Sequence, residues 1–177
     1  MNFGWGKTAL AAGLVSVLLL AGCGREAAPV DTEAGKAEAA AFMAKNAKEE
    51  GVQTLPSGLQ YKVVQSGPAD GESPDRNDLV KVDYEGKLID NTVFDSSFAR
   101  GAPAIFTPET VVPGWTEALQ KMRVGDEWLL YVPPELGYGA RGQGRAIPAN
   151  SVLIFRIKLL DVARVPGGGS GAGTAMG

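Results

Sequence analysis

Three stretches of the chain alternate apolar with polar residues. In Leu59-Gln60-Tyr61-Lys62-Val63 every second residue is apolar, and Val80, Val82 and Tyr84 interleave with Lys81, Asp83 and Glu85. Leu153, Phe155, Ile157 and Leu159 repeat the pattern. A period of two turns one face to a core and the other to water, so each stretch predicts a β-strand. Trp128-Leu129-Leu130-Tyr131-Val132 is apolar without a break and short enough for a central strand. Asp90-Asn91 lies between apolar runs and suits a turn. Trp115, Ala118, Leu119 and Met122 recur instead at three and four, which predicts one helix of about two turns ending near Gly125. Ahead of all these, residues 34–50 are dense in Ala, Lys and Glu, strong helix formers, with Gly51 as a stop. Phe42 and Met43 are the only large apolar residues there, so that helix buries little by itself. The expected class is α+β: a twisted antiparallel sheet wrapped around one short helix, with another short helix in front.

The two ends follow other rules. Lys7 is followed by an unbroken apolar and small-residue run over residues 9–21. That run is shorter than the roughly 20 apolar residues of a bilayer span and has the length of a signal-peptide core. Leu20-Ala21-Gly22-Cys23 closes it and resembles a bacterial lipobox at all four positions. The plainer reading is an ordinary secretory signal with Cys23 near the cut. The lipobox implies cleavage before Cys23 and a lipid on its sulfur, and two or more acyl chains anchor a protein stably. Gly24 stands where an aspartate would favour inner-membrane retention, so the outer membrane is expected, with the domain in the periplasm or at the surface. Residues 24–33 read as a polar spacer, and residues 167–177 as a glycine-rich disordered tail. The expected organisation is a signal segment at 1–22, a lipidated tether with its helix at 23–50, one domain at 51–163 and a tail at 164–177.

Composition narrows the chemistry. Residues 1–22 carry only the charge of Lys7, so removing them takes the net charge from −3 to −4 (16 Lys+Arg against 20 Asp+Glu). This is no footprint for nucleic acid, which calls for clustered excess positive charge. The chain has no histidine, which excludes imidazole bases, Ser-His-Asp triads and His-ligated zinc. Cys23, the single cysteine, forms no intramolecular disulfide.

Five short motifs remain: Val80-Lys81-Val82-Asp83-Tyr84-Glu85-Gly86-Lys87-Leu88, Phe94-Asp95-Ser96-Ser97, Pro113-Gly114-Trp115, Gly137-Tyr138-Gly139 and Leu153-Ile154-Phe155. Together they are rich in aromatics and poor in nucleophiles. In order and approximate spacing they resemble the FKBP-type peptidyl-prolyl cis-trans isomerases over residues 59–162. The segment Phe42-Met43-Ala44-Lys45-Asn46-Ala47-Lys48-Glu49-Glu50-Gly51 resembles the end of the long helix in macrophage-infectivity-potentiator-type members, without their full amino-terminal dimerisation region. A monomer is therefore favoured. The resemblance implies an aromatic pocket that isomerises proline-containing polypeptides, needs no cofactor or metal, and accepts macrolide ligands. In it Trp115 is the floor, Tyr84, Phe94 and Phe155 are walls, and Val111, Val112, Ile147 and Phe106 complete the lining. Tyr138 offers its hydroxyl, and Val112 its backbone N–H, to substrate carbonyls. Asp95 either orients Tyr84 or polarises the twisted amide, and Arg100 stands as its basic partner.

Taken singly, each residue also fits a blander role. Trp115, Phe94 and Phe155 suit a core, Asp95-Ser96-Ser97 suits a turn, and Gly137-Tyr138-Gly139 suits a tight loop; the joint occurrence of the motifs favours the site. Ala104 stands where many members carry a bulkier residue, which would open one side of the pocket. The loop Arg141-Gly142-Gln143-Gly144-Arg145-Ala146 reads as a solvated flap, or as a rim favouring acidic or extended substrates. The rival reading of the whole is a non-catalytic chaperone or peptide-binding module with the same pocket.

Overall fold

The computed structural model describes residues 32–166. The signal segment, the lipobox with Cys23, the start of the spacer and the glycine-rich end lie outside the described residues. The described chain runs α1 (Thr32–Asn46), β1 (Val52–Thr54), β2 (Gln60–Gln65), β3 (Leu79–Lys87), β4 (Val93–Ser96), α2 (Ser97–Arg100), β5 (Ala104–Phe106), α3 (Pro113–Leu119), β6 (Glu127–Val132) and β7 (Leu153–Ala163). All strand pairs are antiparallel, in the order β1-β2-β6-β7-β3-β4, with β5 paired to β3.

The alternation seen in the sequence is the alternation of the sheet. Val80, Val82 and Tyr84 of β3 and Leu153, Phe155, Ile157 and Leu159 of β7 are buried together. β6 contributes Trp128, Leu130 and Val132 to the same face. Against that face lies α3, whose Trp115, Ala118 and Leu119 are buried. A Cβ on Gly114 would fall 2.7 Å from a methyl of Val132, so a side chain there would hold the helix off the strand. The helix ends at Leu119, earlier than the spacing predicts. Its last turn loosens, although Met122 still donates to the Ala118 carbonyl and is fully buried, and Gly125 then turns at φ 95°.

Helix α1 differs from expectation in its bounds and, as expected, buries little: among its described residues Ala39 and Asn46 are the buried ones. It runs from Thr32 to Asn46 and packs on the face of the sheet opposite α3. Gln60 and Tyr131 are register partners, and Tyr131 alternates with core residues, so both point outward. Asn46 donates to the Gln60 side chain (2.8 Å), Gln60 donates to the Met43 carbonyl (2.9 Å), and the Phe42 ring lies 6.3 Å from that of Tyr131. The Asn46 side chain engages the sheet where the helix stops, and Gly51 at φ 79° then turns the chain into β1. Near its start, Gly35 sits against Ala149 and Asn150, where an added Cβ would lie 3.4 Å from the Ala149 carbonyl.

Two residues just past the expected end of the domain also bond to it. Arg164 and Val165, assigned from sequence to the tail, are clamped. The Arg164 guanidinium pairs with Glu72 (2.5 Å), Asp75 (3.2 Å) and Asp78 (2.9 Å), and the Val165 N–H donates to Asp78 (3.0 Å). Burial would raise the Asp78 carboxyl, but the N–H groups of Asp75 and Val165 and the Arg164 charge outweigh it and hold it below the usual carboxylate range. A carboxyl more acidic in the folded than in the unfolded chain stabilises fully above its unfolded pKa of about 4, and that contribution is lost as pH falls through the lower folded value. The melting temperature is therefore expected to drop on acidification below about pH 4, and a pH series on Asp78→Asn should show a shallower drop.

Candidate active site

One cavity of about 620 Å³ opens on the α3 side of the sheet. It is lined by Tyr84, Phe94, Asp95, Phe106, Val111, Val112, Trp115, Tyr138, Ile147 and Phe155, together with Thr110, Gln143 and Ala146. The first ten are residues named from sequence. Arg100 stands behind the lining, joined to Asp95 and Tyr84. Thr110 was not named, while Gln143 and Ala146 belong to the loop read from sequence as a flap or rim; loop conformation brings all three to the cavity.

Trp115 is the hub. It lies in the first turn of α3, which Pro113, preset for a helix start, begins. Three rings meet the indole edge-to-face: Tyr84 at 5.2 Å, Phe106 at 5.7 Å and Phe155 at 5.1 Å between centroids. Phe94 meets Phe155 in the same way at 5.6 Å. Edge-to-face pairs contribute about 0.5–1.5 kcal/mol each beyond their buried area, so the chamber is preformed. The indole N–H is buried and has no hydrogen-bond partner among the described residues.

Gly86 makes the Phe94–Phe155 wall possible. It pairs with Phe155 across β3 and β7, and a Cβ at Gly86 would fall 2.6 Å from the Phe94 ring and 2.8 Å from the Phe155 ring. Gly86→Ala is thus expected to push both rings into the cavity. Overpacking of this kind costs about 1–3 kcal/mol of stability, and kcat/KM on a proline peptide should fall severalfold. Unchanged kinetics would mean that the wall yields without consequence.

The polar side is built by Phe94-Asp95-Ser96-Ser97, each hydroxyl or carboxylate with its own task. Tyr84 donates its hydroxyl to Asp95, and Arg100 pairs with the other carboxylate oxygen. Arg100 also donates to the Tyr84 oxygen at 3.0 Å and lies 5.4 Å from its ring centroid. Ser96 caps α2, the short helix that presents Arg100, by accepting from the Ala99 N–H. Ser97 is fully buried; it accepts from the Tyr84 N–H and donates to Asp83, both at 2.9 Å, and so fixes Tyr84 from the backbone side. Partial burial works to raise the Asp95 carboxyl, but the Tyr84 hydroxyl and the Arg100 guanidinium prevail and hold it below the usual range. Burial and the neighbouring carboxylate push the Tyr84 phenol up, so it stays a protonated donor.

Val112 and Tyr138 also line the chamber. The Val112 carbonyl accepts from Trp115 at 2.9 Å and Thr116 at 3.1 Å, while the Val112 N–H takes part in none of the described hydrogen bonds. Tyr138, partly exposed, lines the opposite side. Its position follows from the next residue: the Gly139 carbonyl accepts from the N–H of buried Asn150 at 2.8 Å.

Residues 70–160, just over half of the chain, match the family described as FKBP-type peptidyl-prolyl cis-trans isomerase. The chain belongs to that family. Residues 24–63 match the domain described as amino-terminal to such isomerases. The FKBP-type 22 kDa peptidyl-prolyl cis-trans isomerase of Escherichia coli is 51% identical over 130 residues, 73% of this chain and 62% of that protein. The outer membrane protein MIP of Legionella longbeachae is 47% identical over 132 residues, 75% of this chain and 56% of that protein. The chain thus spans little more than half the length of these curated relatives. A solved peptidyl-prolyl cis-trans isomerase from Pseudomonas syringae superposes with a TM-score of 0.72 at 36% identity, over 77% of this chain and 98% of that one. The sheet wrapped around α3, with a helix in front, is the family's fold as the sequence motifs implied.

Proposed function

We propose that the protein is a peptidyl-prolyl cis-trans isomerase that accelerates rotation about X–Pro bonds in polypeptides of the bacterial envelope. The observation that carries this reading is the chamber itself: aromatic walls around Trp115, with one carboxylate tied to a tyrosine hydroxyl. Rotation about the peptide bond faces a barrier of about 18–20 kcal/mol, because resonance gives the C–N bond double-bond character. Without a catalyst it takes tens of seconds or longer. Water stabilises the polar planar form, so an apolar chamber relatively favours the twisted one, and a shape that fits the twisted amide adds differential binding. No bond is made or broken, so neither nucleophile nor cofactor is needed.

In this reading the proline ring rests on Trp115, between Tyr84, Phe94, Phe106 and Phe155, with Val111 and Ile147 closing the lining. The Val112 N–H and the Tyr138 hydroxyl hold substrate carbonyls on either side of the bond. Asp95, held ionised by Arg100, orients Tyr84 and turns its own field toward the rotating amide. A macrolide of proline-like shape would compete for the same chamber. We take residues 51–163 as the catalytic unit and α1 as its lead-in. The test is a coupled-protease assay on a proline tetrapeptide, with and without a macrolide. Macrolide-sensitive acceleration is expected. Binding of the peptide without acceleration would favour a chaperone or peptide-binding module instead.

The outer-membrane name of the Legionella relative supports an envelope location. The lipobox ending at Cys23 supports a lipid anchor, for the outer membrane in particular. Cys23→Ser is expected to block lipoprotein processing or to release the protein from membranes, with the melting temperature unchanged. Normal processing and full membrane retention of that variant on fractionation would overturn the anchor.

A further inference from the structure

The flap that forms one wall of the cavity carries two arginines, neither in an ion pair among the described residues. After Tyr138 the chain makes a short 3-10 turn, Gly139–Arg141, and doubles back at Gly142. A Cβ on Gly142 would lie 2.2 Å from the Ile147 carbonyl, and φ there is 62°, so glycine is required for the reversal. Gln143 and Ile147 then exchange backbone hydrogen bonds of 2.8 and 3.1 Å, closing a flap whose tip holds Gly144, Arg145 and Ala146. Gln143, Ala146 and Ile147 all line the cavity, so the flap is part of its wall. Arg145 sits at the tip between two of these positions, and Arg141 precedes the neck.

Both arginines are exposed, and neither takes part in an ion pair among the described residues. Residues 136–150 contain no Asp or Glu. Asp95, the carboxylate in the lining, is already matched by Arg100. A chain of net charge −3 thus carries two exposed arginines, unpaired among the described residues, on the flap beside its apolar chamber. Fields of this kind act over a screening length of about 8–10 Å at moderate salt, enough to reach the residues flanking a bound proline.

We infer that Arg141 and Arg145 select substrates, favouring proline segments with an acidic residue beside the isomerising bond over those with a basic one. The inference rests on the isomerase reading of the same cavity. Exposed charge pairs are individually weak in water, so the preference is modest and depends on salt.

The test uses the full chain and three peptides that differ only in a Glu, Gln or Lys next to the X–Pro pair. Rates are read by NMR exchange, because a coupling protease has charge preferences of its own. At low salt, kcat/KM is expected to fall in the order Glu, Gln, Lys, with a Glu-to-Lys ratio of about three to ten. That ratio should shrink toward one as salt is raised to about 0.5 M. It should also collapse in Arg141→Gln/Arg145→Gln and in Arg145→Glu, which likewise leaves the flap without net charge and provides a second variant. Equal rates on the three peptides in the unmodified protein would overturn the selectivity alone. A Glu preference that survives both high salt and the double substitution would overturn the arginines as its source. No acceleration of any peptide would overturn the isomerase reading and this inference with it.

Discussion

Replacing Trp115 with alanine is expected to cost the domain about 3–5 kcal/mol, the usual cost of deleting a large buried aromatic ring. The indole is 3% exposed, and Tyr84, Phe106 and Phe155 all rest their edges on it. Its removal leaves a void under three walls at once. In a domain of this size the melting temperature should drop on the order of 10–20 °C. Activity should fall beside it, mainly as a raised KM, because the surface that receives the proline ring is gone. A well-folded Trp115→Ala protein with an unshifted melting curve would mean that the rings do not depend on the indole for their places.

Asp95→Leu carries the opposite signature. The side chain is 43% exposed, and its charge is matched by an equally exposed Arg100, so the pair adds little to stability, about 0–1 kcal/mol. Leucine nearly preserves the volume. What disappears is the acceptor of the Tyr84 hydroxyl and the negative charge beside the rotating amide. A hydrogen bond to a charged group is worth about 1.5–3 kcal/mol. If it acts in the transition state, kcat/KM falls roughly ten- to a hundredfold with a melting temperature near that of the parent. A stable Asp95→Leu protein with undiminished turnover would remove Asp95 from the mechanism and leave the chamber as a binding site.

The strands that build the site were legible because each is half-buried in an uncrowded way. β3 and β7 bury every second residue around Tyr84 and Phe155, and Trp128, Leu130 and Val132 of β6 do the same beneath an unbroken apolar run. The aromatic lining was legible through motifs, since the same short stretches that carry Tyr84, Asp95, Trp115 and Tyr138 also supply the turns that aim them. Helix α1 was harder. Its docking runs through Asn46, Gln60 and the Met43 carbonyl, which are polar, and through alanines, which look alike on every face of a helix. Hydrophobic periodicity does not register such a contact. The Arg164 clamp was hidden for a related reason: its partners Glu72, Asp75 and Asp78 lie some ninety residues away in a loop with no pattern of its own. Thr110, Gln143 and Ala146 reach the cavity only by the path of their loops, and Ser97 does its work through the backbone of Tyr84. Side-chain type announces none of these placements.

The last of the described strands stands in the middle of the sheet. β7 joins β6 on one side to β3 on the other, and without it β1, β2 and β6 share no edge with β3, β4 and β5. Until Leu153–Ala163 is available, the chain holds two half-sheets, neither with a closed core, and Phe155 is missing from the chamber. Pairings so distant in sequence bear a loop-closure cost before they yield any contact, which slows folding and favours an all-or-none transition. A nascent copy therefore lacks a closed chamber, and the wall that Phe155 supplies, until β7 has emerged and inserted between β6 and β3.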